Sequence, residues 1–348
     1  MDRLFPAFGK TLSAARAPIA AFAAMGVLWG TFAAVLPDLK AQLGVDEREL
    51  GLLLLATPLA AVAAMLAAPM IGAALGRVAL PVAAGIMALA FVLPGQVWVP
   101  LLFPFAMMAC GAGTGLTDVL MNARVSALEN QRGLHLMNLC HAAYSFGYAG
   151  GAMATGAMRG AAWGPAWVMG TCALLALALA LMTVERDGRI EGLRKPKDGS
   201  AATLGLIPIF GGVIVLIAFL TENAAENWSA LHIEQTLGGS PEQGAMGPLA
   251  ETPARAYAGV IARGVGSSVF APTGLSLGGR LAEPASRARA VARATLLGYF
   301  GYFFGPPMLG FIAGTFGLRF AFVFAAAMLL TVLVVAPLMR RAGDRPAA

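Results

Sequence analysis

The sequence predicts an all-α polytopic membrane protein with ten membrane-spanning helices, six in a first bundle and four in a second. Three observations support this fold class. The chain of 348 residues is 58% hydrophobic and only 12% charged, whereas a soluble domain is about 25% charged. Its apolar residues form runs of about 20 residues, enough to cross a bilayer. Its basic residues are concentrated between those runs, where they act as orientation signals.

The ten predicted spans follow one another with mostly short connections. They are placed at 18–36, 51–70, 78–95, 99–121, 138–157, 162–183, 204–222, 257–277, 292–313 and 317–338. With the N-terminus inside, the basic segments fall on the cytoplasmic side, and acids such as Asp46 and Glu49 fall outside. The positive-inside rule therefore predicts that both termini lie in the cytoplasm.

One long charged cytoplasmic segment, 185–203, divides the chain unequally. The predicted N-terminal bundle is 1–184, with six spans, and the C-terminal bundle is 204–348, with four. The net charge of +6 is accounted for by such segments, so it does not indicate nucleic-acid binding.

A weak internal repeat links the two bundles. Gly147–Gly150, read GYAG, resembles Gly298–Gly301, read GYFG, 151 residues later, whereas the first and seventh spans start 186 residues apart. The second half is therefore about 35 residues short, close to the length of one out-and-back pair of crossings. We expect the equivalents of helices eight and nine of a twelve-helix plan to be missing, with the break near 249–253.

Polar residues are concentrated in the fourth and fifth spans. Asp118 and Asn122 are four residues apart and share a helix face, and Asn138 and His141 share a face of the next helix. Such groups inside apolar segments are costly unless they face a partner or a water-filled cavity. They are predicted to line a solute pathway, with Asp118 or His141 as a proton carrier. The alternatives are an interfacial ion pair of Asp118 with Arg124 or Arg132, and a packing role for His141.

Other candidates are more ambiguous. Trp29 could stack on a sugar ring or belong to the core. Glu222 and Glu226, one turn apart, could form an outer gate or a proton entry, but a solvated end of the seventh span explains them more simply. Glu129 is predicted to lie in a solvated loop with Arg132. Glycines four apart allow close helix packing, and a proline bends a helix; the candidates are Gly147, Gly151, Gly301, Gly305 and Pro306.

These residues resemble the major facilitator superfamily, and within it the bacterial permeases similar to the fucose permease. The resemblance covers nearly the whole chain and is carried by Asp118-Val-Leu-Met-Asn122, Glu129, Met137-Asn138, His141, Ser145-Phe146-Gly147, Glu222, Asn227-Trp228-Ser229, Gly298-Tyr299 and Gly305-Pro306-Pro307. In the sugar symporters of that branch an acid of helix four takes part in substrate binding or proton coupling, a role that the resemblance gives to Asp118. It likewise gives helix-five roles to Asn138, His141 and Tyr144.

The chain departs from that family in two further places. Gly30–Ala34 offers no counterpart to the helix-one acid, and the loop Gly72–Arg77 lacks the usual aspartate.

The predicted function is secondary active transport of a small polar solute, a sugar or related metabolite, by alternating access. Symport with a proton and a monomeric state are expected, and a dimer is compatible with the sequence. Two alternatives are an exporter of drugs or amphipathic metabolites, and a shortened, non-transporting membrane protein that binds a ligand or partner. The sequence contains no phosphate-binding loop, metal-binding histidine pair or nucleophile elbow. No enzymatic activity, cofactor or metal is therefore expected.

Overall fold

The structure, a computed structural model, describes residues 15–133, 136–190, 207–245 and 287–343, which are almost entirely helical. The α-helices within these residues, numbered in chain order, are α1 Arg16–Leu43, α2 Glu47–Leu54, α3 Ala56–Leu75, α4 Ala79–Ala90, α5 Leu93–Gln96, α6 Phe103–Arg132, α7 Met137–Gly160, α8 Pro165–Leu181, α9 Ile207–Leu231, α10 Pro241–Ala245, α11 Arg287–Phe316 and α12 Leu318–Gly343. A π-helical turn, His232–Thr236, extends α9.

Nine of the ten predicted spans coincide with helices of the described residues. The eighth span, 257–277, and the break near 249–253 lie outside them. Five helical stretches of the described chain are long and apolar enough to cross a membrane, and α8 is a shorter apolar helix. The five are Arg16–Leu43, Glu47–Gln96, Pro100–Glu129, Pro208–Thr236 and Leu318–Met339. The all-helical class is confirmed, and the number of crossings stays a prediction.

Two predicted spans end too early. Helix α6 continues from the predicted end at 121 to Arg132, and α9 continues from 222 to Leu231. Apolar runs stop where polar side chains begin, whereas backbone hydrogen bonding continues through them. Helix α6 ends where Gly133 adopts a positive φ of 62° and donates its N–H to Glu129 O at 2.9 Å. Asp118 and Glu222 therefore lie inside long helices, which corrects their predicted positions near helix ends.

The second predicted span, 51–70, is divided at Leu55 into α2 and α3. Pro58 explains the division, because it has no N–H to offer Leu54 O and its ring crowds that carbonyl. Helix α2 begins with a capping box in which Asp46 Oδ1 accepts the Glu49 N–H at 2.8 Å. The Asp46 N–H in turn bonds Glu49 Oε2 at 3.0 Å. These acids, predicted to lie in an outer loop, thus hold a helix start.

The chain's contacts define two compact units. The first contains α1, α3 to α8 and α10, and the second contains α2, α9, α11 and α12. Two short helices are therefore exchanged relative to the predicted bundles 1–184 and 204–348: α2 belongs with the later helices and α10 with the earlier ones. The boundary at 185–203 remains a proposal.

Each unit is organised around a closely packed helix pair, α1 with α7 in the first and α9 with α11 in the second. In the first unit, Ala34, Ala152 and Ala245 form a small cluster that joins α1, α7 and α10. In the second unit, buried apolar side chains of α9 and α12 form a core cluster of Ile214, Ile217, Val332 and Met339.

Candidate functional site

Asp118 and Asn122 lie in the middle of α6 and bond each other, as their spacing predicts. The Asn122 side-chain amide donates to Asp118 Oδ1 at 3.1 Å and to Asp118 O at 2.9 Å. Both side chains are half-buried. Helix α6 is held against α3 through Gly111 and Gly115, where an added Cβ would collide with the carbonyl oxygens of Thr57 and Ala61.

Arg124 does not pair with Asp118. Its guanidinium forms an ion pair with Glu185 at 2.9 Å and donates to Asp187 O at 2.9 Å, and the residue is 5% exposed. Arg132 is exposed at the end of α6. Among the described residues Asp118 forms no ion pair, so the alternative of an interfacial ion pair with either arginine is wrong.

Glu129 holds the start of α7. One of its carboxylate oxygens accepts the backbone N–H of Leu136 at 2.5 Å and that of Met137 at 2.9 Å. A carboxylate at a helix N-terminus satisfies unpaired donors and interacts favourably with the helix dipole. The prediction of a solvated loop residue beside Arg132 is therefore wrong. Sequence reasoning missed this cap because hydropathy does not show which backbone N–H groups lie near Glu129.

Glycines bring the backbones of α1 and α7 together. A Cβ on Gly147 would collide with Ala23 O, and one on Gly151 with Val27 O. On the facing helix, Gly26 meets the backbone of Tyr144 in the same way. The structure thus places Gly147 and Gly151 at a helix contact of the kind expected for glycines four residues apart.

The opposite face of α7 is accessible and polar. Asn138, His141 and Ser145 are exposed, and Tyr144 is half-buried. The His141 ring meets Phe22 edge-on with centroids 4.9 Å apart, and Ser145 Oγ donates to His141 O at 3.2 Å. This face can donate and accept hydrogen bonds toward a solute.

The predicted pathway residues of the first unit form separate groups. In the described part of the chain, neither Asp118 nor Asn122 hydrogen-bonds Asn138 or His141. Trp29 is half-buried and packs edge-on against Phe32 and Phe91, at centroid distances of 5.6 and 5.1 Å. These contacts are those of a packing residue with one accessible edge.

A buried ion pair joins α1 and α7 near their other ends. Arg159, 6% exposed, contacts Asp38 through two hydrogen bonds of 2.7 and 2.6 Å and donates to Ala34 O at 2.7 Å. Sequence reasoning missed this ion pair. The available signal was an arginine two residues after the fifth predicted span, 138–157.

In the second unit Glu222 is half-buried and not solvated at a helix end. Its Oε2 accepts the Tyr302 hydroxyl of α11 at 2.8 Å. The Phe219 ring lies 4.6 Å from that of Tyr302 and 5.7 Å from that of Tyr299. Sequence reasoning missed Tyr302 because the contact joins helices 80 residues apart.

The predicted packing residues of the second unit lie at helix contacts. A Cβ on Gly301 would collide with Leu216 O, and Gly305 lies against the Asn223 side chain. Helix α11 continues through Pro306, whose carbonyl faces Gly51 of α2. No group of metal-binding side chains occurs among the described residues.

Comparison with known proteins identifies homologous transporters, although no protein-family model matches the chain. An uncharacterized MFS-type transporter from Yersinia pestis is 27% identical over 372 aligned residues, covering 92% of this chain and 94% of that protein. An uncharacterized transporter from Sinorhizobium fredii is 25% identical over 397, covering 95% and 100%.

Solved structures show the same fold. A mutant of the nucleoside transporter NupG superposes with a TM-score of 0.65 at 14% identity, covering 93% of this chain and 99% of that one. A bacterial homologue of the human lysosomal transporter Spinster, inward-facing and unoccupied, superposes with a TM-score of 0.67 at 12% identity, covering 95% and 96%. The chain therefore has the major facilitator fold, as predicted. The prediction that it is not an enzyme is confirmed by its homologues, which are transporters.

Proposed function

We propose that the chain is a secondary active transporter that carries a small polar solute, a sugar or a related metabolite, by alternating access. The observation that carries this proposal is Asp118. It lies inside a membrane-length helix, receives a hydrogen bond from Asn122, and forms no ion pair among the described residues, since Arg124 is bound to Glu185. Intramembrane acids without a cation are costly and are retained mostly in ion, proton or substrate pathways.

The accessible face of α7 supports a hydroxylated solute. Asn138, His141 and Ser145 present an amide, an imidazole and a hydroxyl on one helix face, a set that can pair with sugar hydroxyls in either direction. A nucleoside, the solute named for one structural neighbour, contains such a sugar and falls within the proposed class. The same proposal includes the assignment of the chain to the bacterial permeases similar to the fucose permease.

Coupling to a proton would place the proton on Asp118 or His141. Both side chains can be protonated, and both belong to the first unit. Protonation would neutralise the charge of Asp118 inside its apolar helix, where a charged carboxylate is costly. The proposal places the protein in a bacterial inner membrane with both termini in the cytoplasm.

A shortened, non-transporting membrane protein is the second candidate. The alignments to the two homologous transporters extend over 372 and 397 residues, more than the 348 of this chain, so those proteins contain segments that it lacks. This supports the proposed loss of a helical hairpin near 249–253. A chain without that hairpin could retain ligand binding and lose transport.

A thermal-shift screen of the purified chain tests whether a solute site exists. Sugars, sugar acids and nucleosides are added at pH 5.5 and at pH 7.5, because a ligand that binds the folded state raises Tm. We expect a solute that raises Tm of the wild type and has no effect on Asp118→Asn. A cooperative transition that no solute shifts would count against a retained substrate site and in favour of the second candidate.

A further inference from the structure

The α9·α11 pair presents a carboxylate beside aromatic rings on its accessible face. Phe219, Glu222, Tyr299 and Tyr302 are all half-buried, whereas Trp228 on the other side of α9 is fully buried. The ring centroids of the three aromatic residues lie 4.6 to 6.3 Å apart. At these distances the rings contact one another and form one continuous apolar surface, with Glu222 at its edge.

The charge of Glu222 is not balanced by the described protein. Its contact there is the neutral Tyr302 hydroxyl at 2.8 Å, which orients the carboxylate through Oε2 without cancelling its charge. Helix α9 contains no lysine or arginine, and α11 contains none after Arg293. Glu226, one turn further along α9, adds a second half-buried carboxyl group on the same side. A carboxylate in an apolar segment is stabilised by a nearby cation, and a ligand that carries a positive charge would supply one here.

The aromatic rings favour the same kind of ligand. The faces of phenol and phenyl rings attract organic cations, and ammonium recognition commonly combines such rings with a carboxylate. The rings also offer an apolar surface to the ligand's body. A neutral sugar would leave the charge of Glu222 unbalanced, and an acidic solute would be repelled by it.

We propose that Phe219, Glu222, Tyr299 and Tyr302 form a subsite for an organic ammonium group, so that the solute carries a protonated amine, as an amino sugar does. Glu222 supplies the countercharge, Tyr302 holds the carboxylate in place, and Phe219 and Tyr299 contact the ligand's body. The identification of this ligand as cargo rests on the proposed transport function, whereas its binding does not.

Isothermal titration calorimetry of the purified full-length chain tests the subsite with three matched pairs of probes. These are glucosamine and glucose, galactosamine and galactose, and choline with its neutral isostere dimethylbutanol. A carboxylate attracts an organic cation more strongly than a neutral group, and it also forms a stronger hydrogen bond where the cation carries N–H groups, as in the amino sugars. The ammonium member of at least one pair should therefore bind about tenfold more tightly than its neutral partner. Equal affinities within all three pairs, or no binding of any ammonium probe, would overturn the proposal.

Substitutions assign the preference to Glu222. Glu222→Gln keeps an oxygen that can accept the Tyr302 hydroxyl, so the fold should be retained while the roughly tenfold preference disappears. Glu226→Gln is the matched control and should leave most of the preference. A preference that survives Glu222→Gln, or that is lost in Glu226→Gln alone, contradicts the assignment. If Glu222→Gln fails to fold, Phe219→Leu replaces it and should weaken the ammonium probe by several fold and its neutral partner less.

Uptake measurements separate this inference from the transport proposal. If the ammonium probe binds but membrane vesicles do not take it up, the subsite is supported and the transport proposal is contradicted. If vesicles take up a neutral sugar and the chain shows no ammonium preference, the transport proposal is supported and the subsite is contradicted.

Discussion

The two close helix pairs, α1·α7 in the first unit and α9·α11 in the second, share a packing device and differ in their treatment of charge. In both, a glycine lets one helix backbone touch the next: Gly147 meets Ala23, and Gly301 meets Leu216. In α1·α7 the charges are balanced by the ion pair of Arg159 with Asp38. In α9·α11, within the described residues, Glu222 meets a neutral hydroxyl. Close backbone packing at a glycine is therefore common to both helix pairs, whereas the partners of their charged side chains differ.

Removal of the buried ion pair should have the largest effect on stability. Arg159→Met leaves Asp38 without its cation, and the free energy of unfolding should fall by about 3 kcal/mol, the lower end of the range for buried pairs, because Asp38 is partly accessible. Thermal unfolding in detergent measures the change. Arg48→Met, which removes an exposed hydrogen bond to Thr315 and a cation–π contact with Phe311, is the control and should cost about 1 kcal/mol. If both variants lose the same free energy of unfolding, the ion pair of Arg159 with Asp38 stabilises the protein no more than an exposed interaction does.

Gly147→Leu tests close packing in the first pair. The new side chain collides with the α1 backbone at Ala23, so we expect a loss of about 1 to 3 kcal/mol together with lower expression. Gly150→Leu is a matched control on the same helix, because a Cβ there meets open space. Normal expression and an unchanged Tm of Gly147→Leu would contradict the packing role.

Gly301→Leu makes the same test in the second pair. Its side chain would collide with the backbone of α9 at Leu216, so the loss should again be about 1 to 3 kcal/mol. Phe300→Leu is the control: it changes the exposed side chain next to Gly301 and should alter Tm little. If Gly147→Leu lowers Tm and Gly301→Leu does not, the close glycine contact stabilises the first helix pair but not the second.

The smallest effect is expected at the start of α7. Glu129→Gln keeps an oxygen acceptor for the Leu136 and Met137 N–H groups but loses the charge, so stability should fall by about 0.5 to 1 kcal/mol. Urea or thermal titration measures it, with the exposed Arg132→Gln as a control for change of charge. A loss no larger than that of the control would show that the cap contributes no charge-dependent stability.

Local features of the fold could be predicted from the sequence. The bond between Asp118 and Asn122 follows from their spacing on one helix, and the glycine contacts follow from the i, i+4 pattern. Partners distant along the chain could not be predicted: Arg124 with Glu185, and Glu222 with Tyr302, depend on which helices become neighbours. Helix ends were missed because hydropathy reports side chains, whereas α6 and α9 continue on backbone hydrogen bonds through polar residues.

The most direct test of the transport proposal is solute uptake by energised membrane vesicles that contain the full-length chain. With a proton gradient imposed, wild-type vesicles should accumulate a solute identified by the thermal-shift screen, and Asp118→Asn vesicles should not. Glu129→Gln, an acid substitution on the same helix outside the proposed pathway, should accumulate it at a rate near that of the wild type. Uptake that persists unchanged in Asp118→Asn would contradict the role given to this carboxyl group.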